Sequence, residues 1–243
     1  MLIKILSYNL YFHTQLGILN GKQCLLSQSE NICISNKIKF LKKGNYDIMC
    51  FQEASNMNEI TNKINTHDYI EYKSGSNKIM TMFNKQKYKL ISSFGTEFSR
   101  SRPILVCDFV DKISSIEFRI INIHAPHPAE FKKHLSKVNI DLVNPKTVNI
   151  LCGDSNDDIN HRWRINVQGV KFYNTNTNKT IYKTCCDSTL NNVNNNDKNC
   201  DIIFYYEPYN METKVITPLN IANNDKMMSD HLPISSELEF KIF

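Results

Sequence analysis

Residues 148–158 read VNILCGDSNDD. The apolar run stops at Gly153 and gives way to Asp154, Ser155 and Asn156. A short apolar run bounded by glycine reads as a buried strand. Its tip carries a carboxylate and an amide into one small place. Asp and Asn also favour plain turns, so a single ending of this kind has an ordinary explanation.

The ending recurs along the chain. ILSYN ends at Asn9, DIMCFQE at Gln52 and Glu53, and FRIINIH at His124. NCDIIFYY carries Asp201 at its start, and Ser229-Asp230-His231 precedes the last strand-like run. Buried strands place Glu or His at their tips repeatedly when those tips converge. Carboxylate and amide oxygens suit a hard divalent ion such as Mg²⁺. Such an ion neutralises charge on a phosphoryl oxygen. Histidines titrating near neutrality supply protons or stabilise developing charge. The chemistry these groups point to is hydrolysis of a phosphodiester or phosphomonoester.

Strands are expected at 2–10, 46–54, 147–154, 198–206, 213–219 and 231–243. The runs 78–84 and 88–94 read as a hairpin, and 103–110 with 115–125 as a second strand pair. Helices are expected over 29–45, where Gly44 is the stop, and over 129–143. Strands outnumber helices and both occur throughout, which predicts a mixed α/β sandwich with helices outside packed sheets. No interdomain linker is visible, so 1–243 reads as a single domain. The Asn-rich stretch 191–199 reads as a surface loop.

A chain of 243 residues buries a sizeable core without disulfide help. The net charge of +5 permits an anionic partner without naming one. There is no run of about 18 apolar residues to span a membrane, and Met1 leads straight into a strand with no cleavage signal behind it. The eight cysteines lack paired CxxC spacing, which leaves zinc unsupported and reads as reduced thiols in an intracellular protein. Nothing in the sequence predicts a protein partner.

SYN, DIMCFQE, INIHAP, NILCGDSN, NCDIIF and SDHLPI, in that order, resemble the signature blocks of the endonuclease/exonuclease/phosphatase superfamily. The resemblance spans residues 7–234. It implies a DNase I-like four-layer sandwich, two β-sheets flanked by helices, and a metal-dependent phosphoric ester hydrolase. It implies Asn9, Glu53 and Asp230 as metal-binding residues for Mg²⁺ or Mn²⁺. Asp154 and Asn156 match the pair that handles the attacking water and the scissile phosphate. Asp201 matches the carboxylate orienting His231, and His231 and His124 match positions at the phosphate. Arg100 and Arg102 lie where family nucleases often hold an arginine against substrate phosphate. Some nucleases carry an Asp two residues after the first-strand Asn; Tyr11 stands there, so one ion is the expectation.

Outside these blocks, Trp163 lies between Arg162 and Arg164, and either packs structurally or stacks on a nucleobase. His127 reads as a loop residue or as a second site histidine. The vicinal Cys185-Cys186 pair has no assigned role.

Three activities compete for the substrate. A nucleic-acid phosphodiesterase fits the positive charge and the arginine-flanked segments. A phosphoesterase on a lipid headgroup or inositol phosphate is the alternative, but the segment around Asp201 lacks the inositol-phosphatase block. A catalytically inactive binding module of the same fold is the third, disfavoured because every matched polar position is filled.

Overall fold

The computed structural model describes residues 1–10, 30–55, 57–127, 130–178, 184, 199–221, 229 and 231–243. Thirteen strands are described, in two sheets. The first has the order β12-β13-β1-β2-β4-β3. It contains β1 (Leu2–Asn9), β2 (Ile48–Gln52), β3 (His67–Ser74), β4 (Asn77–Asn84), β12 (Met211–Ile221) and β13 (Ile234–Ile242). The second has the order β5-β6-β7-β8-β11-β10-β9. It contains β5 (Tyr88–Ser99), β6 (Arg102–Asp111), β7 (Glu117–His124), β8 (Val148–Asp154), β9 (Arg164–Val167), β10 (Val170–Asn174) and β11 (Asp201–Tyr206). Helices α1 (Glu30–Gly44), α2 (Asn58–Lys63) and α3 (Phe131–Leu135) complete the described elements.

Strand periodicity sorts the apolar residues into three cores. Between the sheets, Ile3, Ile5, Ile48, Cys50, Phe118, Ile120, Ile150 and Cys152 interdigitate. On the outer face of the first sheet, Leu6, Tyr8, Met49 and Phe51 pack with Ile34 and Leu41 of α1 and Ile60 of α2. On the outer face of the second, Ile121, Ile123, Leu151, Ile202 and Phe204 pack with Phe131 and Leu135 of α3. The result is helix, sheet, sheet, helix: the DNase I-like four-layer sandwich. Each fully buried Ile, Leu or Phe contributes about 1.5–3 kcal/mol, and these cores offset a costly polar end. Among the described residues no helix is long and apolar enough to cross a membrane.

Two expectations are corrected. The runs 78–84 and 88–94 do not form a hairpin. β4 pairs with β2 and β3, whereas β5 pairs with β6 in the other sheet. β3, whose exposed alternate residues disguise it in the sequence, already occupies the free edge of β4.

The helix expected over 129–143 shrinks to Phe131–Leu135. Side chains then replace helical hydrogen bonds. The Gln168 amide accepts from Leu142 N–H and donates to the Ile140 carbonyl, and Asn149 Oδ1 accepts from Asn144 N–H. The strands β3, β9 and β10 and the helix α2 are additions to the expected set.

Candidate active site

The same periodicity that builds the central core aims polar groups at one end of it. Ile3 and Ile5 put Ser7 and Asn9 on the inner face of β1. Phe118 and Ile120 do the same for Asn122 and His124, and Val148, Ile150 and Cys152 for Asp154. β1 runs parallel to β2, and β7 parallel to β8. His124 is the register partner of Asp154 on one side, and Asp201 on the other. A floor of hydrogen bonds lies beneath them. Gln52 Nε2 donates to Asn122 Oδ1 at 2.8 Å, and Asn122 Nδ2 donates to the Met80 carbonyl at 2.9 Å.

Asp154 is the hub. Its Oδ2 accepts from Asn9 Nδ2 at 3.0 Å and lies 3.7 Å from Nε2 of both His124 and His231. Its Oδ1 accepts the backbone N–H of Asn156 at 2.8 Å. Burial pushes the Asp154 carboxyl up, but the two histidines and the donors from Asn156 and Asn9 outweigh it and hold it below the usual range. The Asn156 side chain donates to the Ala125 carbonyl at 2.7 Å. Asn156 therefore steadies Asp154 through its main chain and ties the β7 and β8 tips together through its amide.

His231 Nδ1 lies 3.0 Å from Asp201 Oδ2, and its Nε2 lies 3.5 Å from Asn9 Nδ2. With Nδ1–H donating to the carboxylate, Nε2 faces the hub as an acceptor. Asp201 is fully buried. Burial pushes its carboxyl up to about 6, against the pull of His231. The last strand is anchored here: Ser229 Oγ donates to the Asn9 carbonyl at 2.7 Å and accepts from His231 N–H.

His124 faces different partners. Its Nε2 lies 2.5 Å from Arg102 Nη1, and its Nδ1 lies 2.7 Å from Asn77 Nδ2. A guanidinium only donates, so Nε2 is the acceptor and Nδ1 carries the proton. Turning the Asn77 amide over then gives Nδ1–H an acceptor, an assignment that rests on the hydrogen-bond network. It also satisfies Asn77 Oδ1, which is otherwise buried without a partner. Burial, with Arg102 adding to it, pulls His124 down to about 3, against the attraction of Asp154. The ring is neutral and acts as a strut for Arg102.

Backbone strain also reaches these tips. Glu53 and Asn156 adopt φ of 51° and 49°, in the left-handed region that non-glycine residues seldom occupy. Gly153 sits at φ 137°, and a Cβ there would lie 2.1 Å from the Ile123 carbonyl oxygen. Only glycine lets β8 approach β7 closely enough to present Asp154.

Of the expected residues, the structure gathers Asn9, Glu53, His124, Asp154, Asn156, Asp201 and His231. Arg102 joins them through His124, whereas Arg100 is exposed in the turn between β5 and β6. His127 is exposed beyond the β7 tip. Asp230, Tyr11, Cys185, Cys186 and most of the Asn-rich stretch lie outside the described residues. Sequence reasoning missed Asn77 and Asn122, and named Gln52 as a polar tip without a role. Alternation exposes the two it missed: Asn122 stands two residues before His124, and Asn77 two before the core residue Ile79.

Asn9 Nδ2 lies 3.3 Å from Glu53 Oε1, so two oxygen-bearing side chains approach one another at the mouth. That donor set suits a hard divalent ion. Among the described residues no group of three or more His, Cys, Asp or Glu is arranged to hold a metal. The remaining expected ligand is Asp230.

No family model and no curated protein matches the chain. Solved structures do. An endonuclease/exonuclease/phosphatase from Bacteroides vulgatus superposes with a TM-score of 0.73 at 15% identity, covering 99% of this chain and 100% of that one. The human Nocturnin catalytic domain with bound sulfate gives 0.69 at 14% identity, covering 99% and 94%. TDP2 from D. rerio, complexed with a single strand DNA product, gives 0.69 at 14% identity, covering 98% and 99%. The chain shares the fold of endonuclease/exonuclease/phosphatase proteins.

Proposed function

We propose that the chain, as one domain over 1–243, is a divalent-metal-dependent phosphodiesterase that hydrolyses nucleic-acid phosphodiester bonds. The observation that carries this reading is the convergence of Asn9, Glu53, Asp154, Asp201, His231 and the Arg102–His124 pair at one end of the sandwich. The likeness to a TDP2 structure holding a DNA product and the net charge of +5 favour nucleic acid over other phosphoesters.

Asn9, Glu53 and Asp230 would hold the ion, one Mg²⁺ or Mn²⁺. When bound, the ion supplies positive charge to a phosphoryl oxygen and to the leaving oxygen. The protein's own groups do the rest. Asp154, fixed by Asn156 N–H and Asn9, orients the attacking water and accepts its proton. His231, aligned by Asp201, stands beside Asp154 with Nε2 as an acceptor that takes up a proton and, once protonated, donates to the phosphate. Arg102, braced by His124, places a charged donor against a nonbridging oxygen. The expected direct role of His124 thereby passes to Arg102.

A substrate panel tests the reading: plasmid, single strands, RNA, abasic duplex, and lipid and inositol phosphates, each with Mg²⁺ and with EDTA. Cleavage of nucleic acid that needs the ion and falls steeply with salt is expected. Release of phosphate or headgroup alone would move the enzyme to the lipid or inositol class. Binding without any hydrolysis would indicate an inactive module.

A further inference from the structure

The edge of the second sheet carries an aromatic surface that the hydrolytic reading does not use. Trp163, the only tryptophan, is 59% exposed rather than packed in a core. Its ring stands 6.0 Å from that of Tyr173, and Tyr173 stands 6.0 Å from Tyr205. The three rings step from the bend before β9 across β10 and β11. On β10 and β11, Phe172 and Phe204 enter the outer core, so Tyr173 and Tyr205 share the opposite face, and Trp163, in the bend before β9, brings its ring beside Tyr173. Cations border them: Arg164 is the register partner of Tyr173, Arg162 precedes Trp163, and Lys171 is exposed on β10.

The surface is joined to the active site. The loop 155–163 leaves β8 at Asp154 and ends at Trp163. Trp163 accepts from Asn174 N–H, and Asn174 pairs with Phe204, three residues along β11 from Asp201. Two strand spacings and three residues put Trp163 about 14 Å from Asp201. That is the length of about four stacked nucleotides at ~3.4 Å each.

We infer that Trp163, Tyr173 and the flanking Arg162 and Arg164 form a stacking platform for single-stranded nucleic acid, holding the strand about four nucleotides from the scissile phosphate. The inference rests on the nucleic-acid reading above and narrows it to single strands, whose base faces are open to aromatic rings. A duplex keeps its bases stacked on one another and offers phosphates and base edges rather than base faces. An exposed ring set between guanidinium groups matches an alternation of base face and backbone charge.

The lone tryptophan reports on the surface directly. In EDTA, twelve-nucleotide oligodeoxythymidylate should quench its fluorescence, in step with the anisotropy of a labelled strand. A twelve-base-pair duplex and inorganic polyphosphate should quench far less. Trp163→Ala should weaken strand binding about tenfold, and Trp163→Phe should restore most of it. With Mg²⁺, KM should fall as the strand lengthens from two nucleotides to eight, and Trp163→Ala should abolish that gain. Unchanged fluorescence at saturation, equal quenching by polyphosphate, or a length gain surviving Trp163→Ala would overturn the inference. Quenching without hydrolysis of any substrate would sink the active-site reading alone; hydrolysis without quenching would sink the platform alone.

Discussion

The Arg102 guanidinium lies 2.5 Å from His124 Nε2, and this contact fixes the imidazole as an acceptor. The histidine cannot then donate through Nε2 to a phosphate, while Arg102 keeps donors to spare. A neutral ring with its other nitrogen on Asn77 holds the arginine without competing for its charge.

If the two act as one device, removing both should cost no more than removing Arg102 alone. Arg102→Ala should lower kcat/KM on an oligonucleotide about 10²-fold, as for loss of one transition-state donor. His124→Ala should cost less, and the double variant should match Arg102→Ala. Arg102→Lys should recover only part, because an ammonium lacks the planar fork. Additive losses would separate the two roles.

Asp201 orients His231 from a fully buried position. Asp201→Asn keeps the shape but removes the charge that favours the Nδ1–H tautomer. Turnover should fall about 10²- to 10⁴-fold at neutral pH with little change in KM. Circular dichroism and a melting curve close to those of the parent chain would confirm that the loss is chemical.

Gly153→Ala should destabilise rather than merely inactivate. The added Cβ meets main-chain oxygen at 2.1 Å in a backbone conformation that L residues avoid. A cost of about 2 kcal/mol or more is expected, which lowers Tm by about 4–8 °C in a chain of this size. An unchanged Tm would mean that β8 can shift away from β7 at no cost.

Far from the site, Arg119 grips Asp108 with two hydrogen bonds, of 2.7 Å and 2.9 Å. Burial pushes the Asp108 carboxyl up, but Arg119 and Ser92 outweigh it and hold it below its ordinary value. Its folded pKa is depressed, so its contribution is full above the unfolded value near 4. The contribution fades as pH falls through the lower folded pKa. Asp108→Asn should therefore narrow its stability deficit as pH drops from about 5 to 2, read by denaturant melts across that range. A deficit that does not change with pH would contradict the linkage.

The sequence reveals the site more fully than the scaffold. Asp154, Asn9, Asp201 and His231 announce themselves as polar tips on apolar strands, because burying such groups is costly without partners. β9 and β10 are short, separated by Gln168 and Gly169, and half their residues face solvent, so no apolar run marks them. The hairpin error at 78–94 has a similar origin: a tight connection looks the same whether it returns to its own sheet or crosses to the next. The helix expected over 129–143 has the right apolar residues, but Gln168 and Asn149, distant in sequence, capture its backbone. Asn77 escapes because an asparagine at the start of a strand usually marks a turn, and only the fold sets it against His124.

The account stands most directly on single-turnover cleavage of an end-labelled oligonucleotide by the parent chain and by His231→Ala, with Mg²⁺ and with EDTA. Cleavage should require the ion and fall at least 10²-fold in the variant while its melting temperature stays close to that of the parent. Cleavage that ignores EDTA, or a folded His231→Ala protein turning over at the parent rate, would contradict it.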